Sequence, residues 1–161
     1  MKVRSSDEGW ELAAIDPLVA DLLRMLPDVA ATDDEAVQSR IFPSPLRGND
    51  AVHDPDAAAE WREYVEPELR ALFQSHLDIV AADLATVETK AEESVLRIPA
   101  DHGRAWIHTL NQARLALGAQ HEITEGDSAG RRQQSGEKAF ALMQIDFYAM
   151  ILSLLLSRTE L

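Results

Sequence analysis

Along the 161 residues of the chain, apolar positions recur first with a period of two and then with a period near 3.6. Trp10, Leu12 and Ala14 alternate with Glu11, Ala13 and Ile15, as one buried strand face does. Lys2-Val3-Arg4 precedes them, and Ser5-Ser6-Asp7-Glu8-Gly9 between the two runs has the composition of a turn, so the beginning predicts a small β-hairpin. Asp16-Pro17 then reads as a helix start, with Asp as the cap and Pro at the first helical position. Leu18, Val19, Leu22, Leu23 and Leu26 follow at helical spacing, and Pro27 is expected to close that helix. Thr32-Asp33-Asp34-Glu35 opens a short helix to about Arg40, with acids in the first turn where they complement the helix dipole. A polar loop then runs to His53, with Ile41 and Phe42 expected to pin it to the core.

Asp54-Pro55 repeats the earlier starting device. The helix it opens carries Trp61 and Tyr64 and then meets Pro67, where an interior proline costs about 3 kcal/mol and predicts a kink or a fresh start near Val65–Pro67. Leu69, Leu72, Phe73, Leu77, Val80, Leu84 and Val87 mark a long amphipathic helix to about Thr89, with His76 at the boundary of its stripe. Residues 94–98, Ser-Val-Leu-Arg-Ile, form a third short strand able to join the hairpin. Ala100–His121 is the next helix, with Trp106, Leu110, Ala113 and Leu117 on one face. Residues 122–136 carry Gly126, Gly130 and Gly136 and are expected to be the most mobile loop. The last helix, Glu137–Ser157, is apolar nearly all round and is expected to be the most buried element. The expected fold is mainly α: a single-domain bundle of about five helices spanning 1–161, with a small N-terminal hairpin.

Ala139–Leu156 approaches the roughly 20 residues that span a bilayer. Asp146 near its middle would cost about 2.5–3.5 kcal/mol there, so a buried bundle helix is the expected reading, with no membrane and a cytoplasmic location. A helix this apolar could face its own bundle or a second copy.

Charge changes the picture more than composition does. Fifteen Lys and Arg stand against 28 Asp and Glu, a net −13, which argues against binding nucleic acid because phosphate contacts need clustered cations. Residues 1–60 carry −8, residues 61–99 carry −4 and residues 100–161 carry only −1. The acidic part offers a docking surface for a basic partner, with Asp33, Asp34 and Glu35 as its densest run. With no cysteine, disulfides, thiolate metal sites and a thiol nucleophile are excluded.

Catalytic motifs are not found. Gly130–Lys138 fails as a phosphate loop: five residues separate its glycines, Glu137 stands where the lysine belongs and Ala139 replaces the magnesium-binding hydroxyl. His53, His76, His102, His108 and His121 form no metal-ligating pair three or four apart around a glutamate, so no metal and no cofactor is expected. A serine-hydrolase elbow is missing too. Asn111 and Arg114, three apart, share a helix face beside Trp106, Leu110 and Leu117. Such a polar pair is expected to join Asp146, the one acid inside the final apolar helix, in a structural network. The alternative is a small-molecule binding protein or enzyme with a pocket near Trp106 in which Asn111 and Arg114 meet an anionic ligand.

Ala105-Trp106-Ile107, Leu110-Asn111, Arg114-Leu115 and Leu117-Gly118, preceded by Ile98-Pro99, resemble the bacterial family known as domain of unknown function twenty-seventeen. Arg40-Ile41-Phe42-Pro43, Glu60-Trp61-Arg62 and the strand–turn–strand beginning fit its pattern as well. The resemblance implies no assigned activity and therefore no catalytic residues. Some members are encoded near the Clp-protease adaptor, which implies a link to regulated proteolysis. The expected function is that of a non-enzymatic interaction or adaptor-type protein, with the Clp adaptor or chaperone as candidate partner.

Overall fold

The computed structural model describes residues 1–43, 54–90, 93–124, 126–127 and 135–157. Strand β1 (Lys2–Ser6) folds back on β2 (Gly9–Ile15) across the two-residue turn Asp7-Glu8, with Ser6 opposite Gly9. Gly9 is held at φ +132°, a conformation open only to glycine, and a Cβ there would lie 2.1 Å from the Ile98 carbonyl oxygen. The same turn is tied down by the Ala100 N–H, which donates to Glu8 O at 3.0 Å.

The third strand forms as the sequence predicts. It is β4 (Glu93–Pro99), antiparallel to β2, with Trp10 opposite Ile98 and Leu12 opposite Leu96. A further strand, β3 (Glu88–Lys90), completes the order β1-β2-β4-β3. It occupies residues expected to be the end of the long helix. The helix stops at Ala85 because Thr86 turns both its N–H and its hydroxyl onto Asp83 O, and the β-branched Val87 and Thr89 favour the extended chain that follows. The expected alternation in β2 also breaks. The register shifts between Leu12 and Ile15, Ala14 takes φ +52°, and Ile15 rather than Ala14 is buried completely.

Helix α1 (Pro17–Arg24) starts as expected, with Asp16 accepting from the Val19 N–H at 3.0 Å. Pro27 does not close it. The chain bends at Met25 and α2 (Leu26–Ala30) begins, with Pro27 in its first turn, where a missing N–H goes unnoticed. Helix α3 (Glu35–Ile41) is capped by Asp34, which accepts from Val37 N–H, and α4 (Pro55–Glu60) by Asp54, which accepts from Ala57 N–H. Phe42 meets Phe73 edge-on at 5.0 Å between centroids, with the Arg70 guanidinium over its ring. Beyond Phe42, the loop expected to reach His53 lies largely outside the described residues.

Pro67 does reshape its helix. Residues Trp61–Val65 widen into a π turn, in which Glu66 N–H donates to Trp61 O, and α5 (Glu66–Ala85) follows with Pro67 in its first turn.

Helix α6 (Gly103–Gln120), led by a short 3₁₀ turn at Ala100–His102, is the axis of the helical layer and packs against α2, α3, α5 and α7 (Gly136–Leu156). Trp106, Leu110, Ala113 and Ala116 are completely buried. Helix α6 therefore takes the role expected of the last helix. On α7, Ala141, Leu142, Tyr148, Ile151 and Leu155 face inward, while Phe140, Met143, Met150 and Leu156 are exposed. Hydropathy registered the helix as apolar all round, but neighbours cover only one side of it.

Replacing Gly9 with alanine should cost about 2–4 kcal/mol, since it combines a backbone clash with a forbidden φ. Gly103→Ala meets only the far edge of the Trp10 ring and should cost less. Urea unfolding of the two variants measures the difference.

Candidate functional site

One polar cluster in the helical layer is fully built. Asp83, in the last turn of α5, is 7% exposed, and its Oδ2 accepts from Trp106 Nε1 at 2.8 Å. His102 Nδ1 lies 2.9 and 3.1 Å from the two carboxylate oxygens. A carboxylate only accepts, so the imidazole donates from Nδ1. Both oxygens of a buried acid are thereby satisfied, the condition for placing one in a core. The cluster ties the end of α5 to the start of α6 and consumes the indole N–H of Trp106. Asp83 was not anticipated, although its position offers a signal: it stands three residues after Val80, on the apolar stripe of its helix.

Residues singled out from sequence are placed less cooperatively. Trp106 is completely buried, Asn111 is exposed, and Arg114 and Asp146 are half-buried. Arg114 Nε is buried with no hydrogen-bond partner among the described residues, and Asp146 has a partner of its own. Two polar residues of this stretch face inward, Thr109 and Gln112, and the Gln112 side-chain amide donates to Ala30 O at 2.9 Å and fastens α6 to α2. Tyr148 does the same from α7. Its hydroxyl donates to Leu22 O at 2.9 Å, and burial pushes its pKa up to about 12.

His76 on α5 and His108 on α6 stack with centroids 4.9 Å apart and planes 5° apart. Parallel rings direct their lone pairs along parallel planes, so the pair does not converge on one ion. Among the described residues no group of three or more His, Asp or Glu side chains could hold a metal. His76 is buried with Nδ1 unpartnered, and its pKa is lowered by burial, by His108 and by Arg104.

Two grooves open on the surface, neither of them lined by Trp106, Asn111 or Arg114. One, of about 490 Å³, lies over β1, β2 and β4 between Arg4, Glu11 and Arg97. The other, of about 470 Å³, lies between α2 and the end of α5, with Ala81, Leu84, Ala85 and Val87 as its apolar floor and Asp28 and Arg24 at its rim. Arg24 is paired to Asp21 at 2.9 Å, whereas Asp28 has no ion pair among the described residues. Just beyond α2, Asp33 and Glu35 are exposed, while Asp34 is occupied as the cap of α3. In the loop expected at 122–136, Asp127 accepts from Thr124 N–H and Oγ1 and pairs with Lys138, which brings its pKa down to about 2. Residues 125 and 128–134, with most of the glycine-rich stretch, lie outside the described residues.

Removing the central carboxylate with Asp83→Ala should cost about 2–4 kcal/mol in urea unfolding, because Trp106 Nε1 is left buried and unpaired. A second expectation concerns pH. His76 has a lowered pKa in the folded state, so its contribution is complete above the unfolded value of 6.5 and is lost as pH falls below it, where the unfolded chain takes up the proton first. In His76→Phe, which keeps an aromatic ring against His108, the loss of stability as pH falls below 6.5 should flatten.

No curated protein and no solved structure matches this chain. A family model does, from residue 2 to residue 158, and it covers the hairpin, the sheet and every helix just described. The chain accordingly belongs to the family described as Domain of unknown function (DUF2017).

Proposed function

We propose that this protein acts by docking another protein, as an adaptor-type component without catalytic activity of its own, and that it does so in the cytoplasm through the groove between α2 and α5. The observation that carries this reading is the composition of that groove: an apolar floor of Ala81, Leu84, Ala85 and Val87 beside Asp28, an acid with no ion pair among the described residues. Such a site takes an apolar side chain of a partner segment on its floor and a lysine or arginine of the same segment at its rim. Asp33 and Glu35, exposed a few residues further along, extend the negative field in which a basic partner would be steered. Asp34 contributes less to that field than its place in the run suggests, since its carboxylate is engaged in capping α3. The family's implied link to regulated proteolysis nominates the Clp adaptor and the Clp chaperone as the first partners to test.

Pull-down and fluorescence anisotropy with each purified partner should detect binding at low salt that weakens as salt rises. Reversing Asp28, Asp33 and Glu35 to lysine should reduce the affinity about tenfold or more, while Leu84→Asp should abolish it. Asp34 is left unchanged so that α3 keeps its cap, worth about 1 kcal/mol. Binding that ignores all four substitutions places the partner on another surface. Failure of both partners to bind at low salt removes the proteolytic version of the proposal.

A further inference from the structure

The outer face of α7 carries a pattern that the core does not use. Phe140, Met143, Phe147, Met150 and Leu154 follow one another at spacings of three, four, three and four, the spacing of the seam by which one helix packs along another. Ala141, Leu142, Tyr148, Ile151 and Leu155 fill the core and Phe147 packs partly against it, whereas Phe140, Met143 and Met150 stay outside it. Phe140, Met143 and Met150 keep 42%, 39% and 44% of their surface in water, and Phe147 and Leu154 are half-buried. Together they offer roughly 300 Å² of surface, at the lower end of the range in which the largest patch on a monomer is often functional.

We infer that this seam is the interface of a homodimer, in which α7 of one chain packs antiparallel against α7 of a second. Three observations select a second copy as the occupant. First, the seam is nearly self-complementary about its own midpoint. Reversing the helix around Phe147 brings Phe140 opposite Leu154 and Met143 opposite Met150, so one two-fold axis satisfies all five side chains. Second, two chains of charge −13 repel each other least where charge is lowest. Residues 100–161 carry only −1, and the 21 residues of α7 include three charges, of which Glu137 and Lys138 are neighbours of opposite sign and Asp146 has a partner. Third, two such faces would bury roughly 600 Å², the apolar share of a small interface of the kind that associates weakly and reversibly.

Lipid is the competing occupant, because the 21-residue helix contains an 18-residue window of mean hydropathy 1.9 and is long and apolar enough to cross a membrane. The opposite side of α7 weighs against it. Tyr148 is hydrogen-bonded to the backbone of α1 and Gln144 reaches Met25, so insertion would first have to pull the helix out of the core. The dimer needs no such opening, and it leaves the groove between α2 and α5 to a different partner.

Sedimentation velocity of the full chain from 1 to 100 µM (about two decades of concentration) should show a reversible monomer–dimer equilibrium. Met143→Glu with Met150→Glu should weaken it about 100-fold or more while leaving the circular dichroism spectrum unchanged, since both positions are exposed. If that pair fails to fold, Met143→Ala with Met150→Ala should still weaken it about tenfold. The natural chain has no cysteine, so orientation can be read by oxidation: chains carrying Met143→Cys should cross-link to chains carrying Met150→Cys and not to themselves. A monomer throughout that concentration range overturns the inference, as does a dimer indifferent to the glutamate pair. So does co-sedimentation of the natural chain with phosphatidylcholine–phosphatidylglycerol vesicles that the same pair abolishes, and self-linking of Met143→Cys overturns the antiparallel arrangement.

Discussion

A buried carboxylate joins two layers that differ in almost every other respect. Asp83 closes α5 and receives hydrogen bonds from His102 and Trp106, the first at the exit from β4 and the second one turn into α6. Those bonds determine where the sheet hands over to the bundle. Thr86 ends α5 by bonding to the carbonyl of the same Asp83, so β3 can start two residues later and lie against β4. Trp106, with its one polar atom satisfied, can then sit without exposure at the centre of the helical layer. A buried acid and an aromatic donor each cost free energy alone, and the fold stands because each removes the penalty of the other.

Much of this architecture was legible in the sequence because its signals are local. Asp16-Pro17 and Asp54-Pro55 mark helix starts through a side-chain acceptor and a fixed φ, both properties of adjacent residues, and both caps form. The strand at 94–98 declared itself by its β-branched composition. Pro27 and Ala14 misled for one shared reason. A proline is equally at home after one helix or in the first turn of the next, and an alternating strand can be interrupted by a bulge without any change in composition. Between such options only the packing of distant segments decides.

The candidate site was less legible because its residues are separated by long stretches of chain. Asp83 and His102 are 19 residues apart, and nothing local announces their contact. Asn111 and Arg114 drew attention by their motif, yet the neighbouring Gln112 is the side chain that reaches across to α2. Hydropathy likewise ranks a residue by its affinity for apolar surroundings and says nothing about whether those surroundings exist. Helix α7 is the most apolar long helix and α6 the better buried one, because position in the bundle and not composition sets coverage.

That mismatch gives the charge distribution its physical meaning. A chain carrying −13 stays dispersed in solution by repulsion, and repulsion of that size would oppose any assembly that brought its acidic parts together. The fold divides the opposing tendencies between two regions. Six acids of the first sixty residues, Asp16, Asp21, Asp28, Asp33, Asp34 and Glu35, lie on or beside α1, α2 and α3, near the groove whose floor is apolar and whose rim carries Asp28 and the ion-paired Arg24. The exposed seam of α7 belongs to the part of the chain with almost no net charge. On the proposed reading, a basic partner would be drawn to the first region by the field that keeps copies of this chain from meeting there. Apolar contact between copies is permitted only on the second. One sequence can in this way carry two different interfaces without either competing for the other's partner.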